Sequence, residues 1–296
     1  MRCGCGIFQY KKLCRKINPG DIVLLQYPVN RLLMKRIYKM LNRKQVHSIT
    51  LIHDIDYLRN VPLGNRGVVG MKNLELFLLS QSEYLICHND SMIKVLKDAG
   101  LKSNFVSLRL FDYLYEGAGA KKIGDGSVVV AGNLLEKKAG YLYGLSGQKF
   151  KLSLYGSNLG ENFNNPNAEY HGSFPPDRLI ENIEGDYGLV WDGPSTDACT
   201  GDYGNYLKVN NPHKVSLYLA AGLPVIVWKE SAVYRFIIEN GVGFGIGSLS
   251  DIDEEIKKHD HAEMAENVKK IQKKIRTGYF IKTALGEVEK KAKEAD

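Results

Sequence analysis

Short apolar runs alternate with amphipathic segments along the first half of the chain. Within the runs the apolar residues are continuous, which is typical of parallel strands covered on both faces of a sheet. The segments between them repeat their apolar residues at helical spacing. The pattern predicts strands and helices in turn at Asp21 to Tyr27, Arg31 to Arg43, Ser48 to His53, Gly70 to Ser82, Tyr84 to Cys87, Asp90 to Gly100 and Asn104 to Leu108.

A glycine-rich segment interrupts this pattern between Tyr115 and Ser127 and contains one large apolar residue, Ile123. Such a segment cannot form a packed element, so we place a domain boundary in it. A second alternating series follows. It predicts strands at Val128 to Ala131, Lys151 to Tyr155, Tyr187 to Trp191 and Pro224 to Trp228, and helices at Pro176 to Asn182, His213 to Ala221 and Ser231 to Asn240.

The two series predict an α/β fold of two Rossmann-like, doubly wound domains that face each other across a cleft. We expect an amino-terminal domain over residues 1–120, a second domain over 121–282 and a helical tail over 283–296. The charged segment from Asp260 to Ala295 is predicted to be mostly helical and to return to the first domain. Ligands of such folds bind at the carboxyl ends of the strands, so the cleft is the expected site.

Composition narrows the class of protein. The 296 residues are 44% hydrophobic and 25% charged, which is ordinary for a soluble globular protein. The five cysteines are odd in number and form no Cys-x-x-Cys pair, which favours a reducing compartment. No apolar run approaches the roughly 20 residues that a bilayer-spanning helix needs. We therefore expect a cytosolic protein.

The net charge of +7 is concentrated near the amino terminus and invites an anionic partner. The predicted helix from Arg31 to Arg43 places its apolar residues on one face and its cations on the other. A helix on a membrane surface and a basic helix packed on a sheet both have this pattern, and the second interpretation is the more common. Nucleic acid is disfavoured because the cations come without a recognisable binding module.

Two loops after predicted strands are candidate sites for a phosphate or sugar. Gly132 and Asn133 end a buried strand, and a glycine there lets a ligand approach the backbone closely. Lys137 and Lys138 follow within reach, although a lysine pair at a helix start is more often a solvated face. Tyr155 and Ser173 are further candidates for contacts with a base and a ribose, and both are equally compatible with turns.

The second candidate is the segment Asn210-Asn211-Pro212-His213-Lys214-Val215-Ser216, which precedes an apolar helix. Free amides at the helix start, together with Lys214, can neutralise the two charges of a diphosphate leaving group. The alternative is that Asn211 caps the helix and that His213 and Lys214 face solvent. A long polar loop that begins at Asp192 directly after a predicted strand favours the functional interpretation, and we include Asn211, His213, Ser216 and Asp192 among the donor-binding candidates.

At these residues the chain resembles the bacterial O-antigen β-1,6-galactofuranosyltransferases and, more distantly, the accessory glucosyltransferases that extend sugars on serine-rich adhesins. The resemblance covers nearly the whole chain. The matching segments include Leu51-Ile52-His53-Asp54-Ile55-Asp56, Phe111-Asp112-Tyr113-Leu114, Ala131-Gly132-Asn133-Leu134, Gly188-Leu189-Val190-Trp191-Asp192-Gly193, Asn210-Asn211-Pro212-His213-Lys214 and Lys274-Ile275-Arg276-Thr277-Gly278.

The resemblance implies a GT-B fold, a UDP-sugar as co-substrate in the second domain, no cofactor or obligatory metal, and inversion at the transferred sugar. It implies transfer of galactofuranose to a glycan acceptor in surface polysaccharide assembly. Glucose transfer to a glycoprotein and a non-catalytic scaffold subunit are the alternatives. Compared with this family, the first domain is expected to lack its first strand and helix. Association with the inner face of a membrane and a homo-oligomer are both compatible with the sequence.

An inverting transfer needs a base that removes the proton of the acceptor hydroxyl. Asp54 and Asp56 follow a predicted first-domain strand, and we expect one of them to be this base, with His53 shaping the site and Arg59 orienting the carboxylates. Capping of the following turn is an equally good interpretation of the two aspartates. Asp54-Ile55-Asp56 also matches the metal-binding Asp-Xaa-Asp motif of single-domain GT-A transferases. The second Rossmann-like series and Lys214 favour a site without metal.

Overall fold

Two parallel sheets organise the chain, one in each of two units. The computed structural model describes Lys12 and residues 15–295. The chain divides into a first unit, Met1–Leu108 with Ala284–Asp296, and a second unit, Arg109–Thr283. Each unit has its own buried apolar core.

The first unit alternates strands and helices in the predicted order. Its elements are strand β1 Ile22–Tyr27, helix α1 Arg31–Arg43, strand β2 His47–Ile52, helix α2 Gly67–Leu79, strand β3 Tyr84–Cys87, helix α3 Asp90–Asp98 and strand β4 Asn104–Ser107. The strands pair in parallel in the order β1-β2-β3-β4. All four residues of β3 are buried, which explains why this strand is a continuous apolar run.

Asparagine caps fix the starts of two helices in the first unit. Asn30 Oδ1 accepts a hydrogen bond from Leu33 N at 3.1 Å, and Asn89 Oδ1 accepts one from Met92 N at 2.9 Å. Each bond satisfies an amide that has no partner within its own helix. The observed bounds of α1 are those predicted from the sequence, because the cap and the apolar face give the same limits.

The second unit has a larger sheet, which is also built from parallel strands. Its strands are β5 Val128–Asn133, β6 Leu152–Ser157, β7 Ala168–Tyr170, β8 Tyr187–Val190, β9 Val225–Trp228 and β10 Gly243–Ile246. They pair in parallel in the order β10-β9-β8-β5-β6-β7. The helices are α4 Glu136–Ala139, α5 Tyr141–Gly144, α6 Pro176–Asn182, α7 Gly201–Tyr206, α8 His213–Ala221, α9 Tyr234–Asn240, α10 Ile252–Lys258 and α11 His261–Ile275. The last helix, α12 Tyr279–Ala295, begins in the second unit and belongs to the first unit from Ala284 onward.

The first unit ends at Leu108, earlier than the predicted boundary in the glycine-rich segment. The reason is that residues 109–120 bond to the second unit: Arg109 O and Phe111 O accept hydrogen bonds from the side chains of Asn211 and Ser216, and Ala120 N donates to Ala221 O. The rest of the glycine-rich segment is bonded to the same unit. Asp186 is 2% exposed, and its carboxylate accepts hydrogen bonds from the backbone amides of Ile123, Gly124, Asp125, Gly126 and Ser127.

The prediction of α/β architecture with parallel sheets is confirmed, and its strand and helix positions agree with the structure to within a few residues at their ends. Strands β7 and β10 were not predicted. β7 has only three residues, one of them a glutamate, and β10 is half glycine, so neither has the apolar run that marked the others.

Candidate active site

The carboxyl ends of β5, β6 and β8 lie at one edge of the second sheet, because these strands are parallel. Gly132 and Gly156 are register partners there. A Cβ on Gly156 would lie 1.7 Å from Gly132 O, so only glycine allows the two strand ends to approach this closely. Gly132 is exposed and has φ +135°, which leaves its backbone accessible to a ligand.

Asn133 closes the loop after β5 rather than pointing freely into solvent. Its Oδ1 accepts hydrogen bonds from Leu135 N at 3.1 Å and from Asn158 Nδ2 at 3.0 Å. The side chain is exposed, so contact with a ligand is sterically open. The sequence did not single out Asn158.

Helix α8 is fixed against the ends of two strands. Its Tyr218 accepts a hydrogen bond from Ala131 N of β5 at 2.7 Å, and Tyr218 is fully buried. The N-cap of the helix is Pro212, which makes no side-chain hydrogen bond to the first turn. In the first turn of α8, Lys214 contacts Trp191 and Asp192, which directly follow β8. The helix start therefore lies at the end of β8, as a site for a diphosphate at this helix requires.

Lys214, in the first turn of α8, forms a largely buried ion pair with Asp192. Its Nζ donates to Asp192 Oδ1 and to the carbonyl oxygen of Trp191, both at 2.8 Å. The Lys214 side chain is 13% exposed and that of Asp192 is 10% exposed. An ammonium has three donors, so one remains without a partner among the described residues.

The electrostatic environment of Lys214 suits an anionic ligand. Burial lowers its pKa below the usual range, Asp192 opposes this effect, and the positive charge of Lys138 lowers the pKa further. Lys138 is brought near by a hydrogen bond from Gly193 N to Lys138 O at 2.8 Å. Two cations therefore share this edge of the sheet with one carboxylate, and a diphosphate would relieve their repulsion.

Tyr203 was not predicted as a site residue, although it lies in the long polar loop that the sequence marked as functional. It is half-buried on α7, and Lys138 Nζ lies 5.7 Å from the centre of its ring. This is within range of a cation–π interaction. Tyr203 thereby holds the Lys138 side chain near the strand ends.

Three residues of the Asn211 to Ser216 segment have other contacts. Asn211 is 1% exposed and donates through Nδ2 to Arg109 O at 2.7 Å. Ser216 is fully buried and donates to Phe111 O at 2.7 Å. The exposed His213 ring stacks on Phe111 with ring centres 4.2 Å apart. Ser216 and Asn211 thus anchor the segment from Arg109 to Phe111, and of these three residues His213 is the one exposed to a ligand.

The two predicted contacts to base and ribose differ in accessibility. Tyr155 is fully buried, accepts a hydrogen bond from Glu184 N at 2.9 Å and stacks on His171. A direct contact of its side chain with a nucleotide would require these interactions to break. Ser173 is exposed in the loop before α6.

In the first unit, the two predicted carboxylates follow β2 and meet arginines. Asp56 forms a short ion pair with Arg31 and lies 3.9 Å from Arg59. Asp54 Oδ2 pairs with Arg59 at 2.8 Å. Arg59 thus contacts both carboxylates, and its orienting role stays a prediction. Arg31 was not foreseen because it lies far away in sequence.

A fully buried glutamate bonds to the backbone that carries this cluster. Glu75 of α2 accepts hydrogen bonds from Tyr27 Oη at 2.8 Å, Asp56 N at 3.2 Å and Tyr57 N at 2.8 Å. Burial raises the pKa of Glu75, and these three bonds oppose the rise. Burial and the Glu75 charge also raise the pKa of Tyr27. The backbone that carries Asp56 is therefore fixed by a buried polar network.

The two carboxylates differ in what they offer a substrate. The Asp54 side chain is 40% exposed, and its Oδ1 has no partner among the described residues, whereas Asp56 is 18% exposed and faces two guanidinium groups. Half-burial lowers the pKa of His53, although Asp54 partly opposes this, so its imidazole is neutral near pH 7. Of the two aspartates, Asp54 is therefore the one with an oxygen that could accept a proton from a substrate. Its negative charge acts on the neighbouring His53 imidazole.

The Asp54-Ile55-Asp56 motif does not gather a larger ligand set. Among the described residues, no group of three or more His, Cys, Asp or Glu side chains is arranged to hold a metal ion. Both aspartates are already paired with arginines.

A bilayer-spanning helix has to be both long and apolar. None of the helices of residues 15–295 meets both requirements.

Comparison with solved structures identifies the fold. The chain is similar to sucrose-phosphate synthase from Thermosynechococcus elongatus, with a TM-score of 0.63 over 98% of this chain and 78% of the other, at 11% identity. The two parallel-sheet units are those of the GT-B fold. The class, a UDP-sugar glycosyltransferase with this fold, follows from the sequence relatives.

Sequence comparison places the chain within that class. Residues 7–110 match the domain described as "Glucosyltransferase 3-like, N-terminal domain", and residues 128–288 match "Glucosyltransferase 3-like, C-terminal domain". The chain belongs to the glucosyltransferase 3-like family. It is 33% identical to Beta-1,6-galactofuranosyltransferase WbbI of Escherichia coli K12, over 90% of this chain and 79% of the relative. It is 28% identical to Glucosyltransferase 3 of Streptococcus gordonii, over 90% and 78%.

Proposed function

We propose that this glycosyltransferase transfers galactofuranose from UDP-galactofuranose to a glycan acceptor, with inversion and a β-1,6 linkage, in surface polysaccharide assembly. The observation that carries the donor assignment is the remaining donor of Lys214 beside the uncapped start of α8. The sugar and the linkage follow the E. coli relative, whose name states both.

In the proposed reaction the second unit holds the diphosphate of the donor. The first-turn amides of α8 and the Lys214 ammonium offset the charge that develops as UDP leaves. Lys138 adds a second positive charge, and the backbone at Gly132 leaves room for the sugar or phosphate. These groups need no divalent metal to neutralise the leaving group.

The first unit supplies the base. Asp54 takes the proton from the acceptor hydroxyl while the oxygen of that hydroxyl attacks the anomeric carbon of the donor sugar. The bond between this carbon and UDP breaks on the opposite face. This single displacement converts an α-linked donor into a β product. Asp54 is assigned in preference to Asp56 because its Oδ1 is free of partners among the described residues.

Donor binding is tested by thermal unfolding with UDP in the presence of EDTA. At about 100 times its dissociation constant, UDP should stabilise the protein by about 2.7 kcal/mol. Equal protection with EDTA and with Mg²⁺ is the expected result. Absence of protection at saturating UDP would refute the donor assignment, and protection that requires Mg²⁺ would refute the metal-free site.

The transferred sugar is tested by mass spectrometry with UDP-galactofuranose, UDP-galactopyranose and UDP-glucose, each with a panel of glycan acceptors. Transfer from UDP-galactofuranose alone supports the proposal. Preferred transfer from UDP-glucose would favour the second candidate, a glucosyltransferase that acts on a glycoprotein, which the S. gordonii relative supports. UDP binding without transfer from any donor would favour a scaffold subunit.

The base is tested with Asp54→Asn and Asp56→Asn. Asp54→Asn should keep UDP binding and reduce turnover by about a hundredfold or more, because general base catalysis contributes about 10²–10⁴-fold. Asp98→Asn, at an exposed aspartate of the same unit, is the matched control. Full activity of Asp54→Asn would overturn the assignment, and a larger loss in Asp56→Asn with intact folding would transfer the role to Asp56.

A further inference from the structure

The amino-terminal part of the chain has a large excess of positive over negative residues. Eleven of the forty Lys and Arg residues precede Asp54, but only one of the thirty-three acidic residues does. Six of these cations lie between Arg31 and Lys44, a stretch without a carboxylate. Neither the donor site nor the proposed base uses this concentration of charge, apart from Arg31.

Helix α1 presents these cations in a stripe. Leu32, Lys35, Lys39 and Arg43 are spaced by three or four residues and so share one face of the helix, opposite its buried residues. Leu32 is 76% exposed. No carboxylate pairs with Lys35, Lys39 or Arg43 in the part of the chain that the structure describes.

The carboxyl-terminal helices show the opposite arrangement. Lys269 of α11 pairs with Glu266, and Lys293 of α12 pairs with Glu289 at 2.8 Å. These helices are also rich in lysine, but neighbouring glutamates neutralise part of their charge. The unneutralised stripe on α1 is therefore a property of that face and not of helices in this chain generally.

Helix α2 adds apolar side chains beside the stripe. Val69 is 71% exposed and Phe77 is 46% exposed, and their spacing of eight residues puts them on one face. Lys35 Nζ lies 5.5 Å from the centre of the Phe77 ring, which joins the two helices. An open groove of about 370 Å³ runs there, lined by Lys35, Lys39, Asn42, Arg43, Phe77 and Gln81.

We propose that this face, formed by Leu32, Lys35, Lys39, Arg43, Val69 and Phe77 and called here the α1–α2 face, docks on the surface of an anionic lipid bilayer. The cations complement the phosphates of the lipids, and the groove accommodates a head group. The exposed apolar side chains enter the boundary with the acyl chains. A soluble anionic polymer would match the cations but leave Leu32 and Val69 in water, so charge and apolarity together favour the bilayer.

The sequence left a choice between a membrane-surface helix and an ordinary basic helix. The structure bears on this choice because α1 does pack on the sheet through one face, while the other face remains exposed, unneutralised and partly apolar. The inference does not depend on the identity of the sugar donor.

Sedimentation of the full chain with vesicles tests the proposal. Vesicles of phosphatidylcholine with about 40% phosphatidylglycerol should bind the protein, and pure phosphatidylcholine vesicles should bind it weakly, because the lipid charge supplies the attraction. Binding should fall between about 0.1 M and about 0.5 M NaCl as the charges are screened. Equal binding to both kinds of vesicle would overturn the proposal.

Paired substitutions locate the surface. Lys35→Gln with Lys39→Gln should lower the partition coefficient about 25-fold, since each cation near a membrane surface contributes about a factor of five. Lys269→Gln with Lys273→Gln has the same spacing on α11 and should leave binding unchanged. Thermal protection by UDP should be retained in both variants, which verifies folding. Equal losses in the two pairs would show that net charge alone drives binding and would refute the assignment to the α1–α2 face.

Leu32→Gln separates a bilayer from a soluble anion. It should weaken vesicle binding about threefold or more, because a large apolar side chain no longer enters the boundary. Binding to heparin should be unaffected. If Leu32→Gln leaves vesicle binding unchanged, the face binds anions only and the bilayer is not its partner.

Discussion

The ion pair between Lys214 and Asp192 allows the binding role of the lysine to be separated from its structural role. Lys214→Met keeps the length of the side chain but leaves the Asp192 carboxylate without its cation and the Trp191 carbonyl without a donor. Breaking a fully buried pair costs about 3–5 kcal/mol. Because the two side chains retain 13% and 10% exposure, water screens the stranded charge, and we expect a loss of about 2–3 kcal/mol.

The double variant Asp192→Asn with Lys214→Met removes both charges. Replacing a buried pair by neutral groups of similar size is often nearly neutral for stability, so most of the loss should be recovered. UDP affinity should not be recovered. A hydrogen bond between charged groups contributes about 1.5–3 kcal/mol, which corresponds to an affinity about 10- to 150-fold weaker.

Urea unfolding measures the stability term, and calorimetric titration with UDP measures the affinity. Lys269→Met, at an exposed lysine of the same unit, is the control and should change neither quantity. The reasoning is refuted if the double variant binds UDP as tightly as the unaltered protein, because Lys214 would then be a structural ion. It is equally refuted if the double variant stays as unstable as Lys214→Met.

Three further predictions address residues whose roles the structure redefined. Asp186→Ala should destabilise the second unit by about 3 kcal/mol in urea, because five backbone amides lose a charged acceptor, and a loss below about 1 kcal/mol would contradict this. Ser216→Ala should cost about 1 kcal/mol of stability through the lost bond to Phe111, and a clear fall in UDP affinity by calorimetry would show that Ser216 contacts the donor after all. Burial raises the pKa of Glu75 above its ordinary value of 4.5, so the folded chain binds more protons than the unfolded chain in this range. The melting temperature of the unaltered protein minus that of Glu75→Gln should therefore fall as the pH rises above about 4.5. A difference that is flat or rises with pH would be inconsistent with a buried acid.

The sequence predicted the central strands of the sheets well because these strands are buried on both faces. A strand such as β3 or β9 is a short continuous apolar run, and the run itself marks its limits. Helix α1 was predicted to the residue, since its cap and its apolar face agree. β10 was missed because its alternating glycines remove half of the apolar signal.

The candidate site was predicted less completely, because sequence patterns record residue types and not partners. Lys214 and Asp192 were both proposed, but their pairing depends on α8 packing against β8. Glu75 lies within a helix, where a lone charged residue usually indicates the solvent face, and it is instead fully buried. Ser216 was assigned to the donor from its place in a motif, and its burial against Phe111 could be recognised only from the fold.

The contacts of Asp186 have a consequence for how this family can evolve. Asp186 holds this segment mainly through five backbone amides, and the Ser127 hydroxyl adds one side-chain contact. Gly124 and Gly126 are constrained by φ angles of +84° and +77° that side-chain-bearing residues rarely adopt. Between related chains this stretch should vary wherever a side chain makes no such contact, while the distant aspartate that anchors it should hardly change.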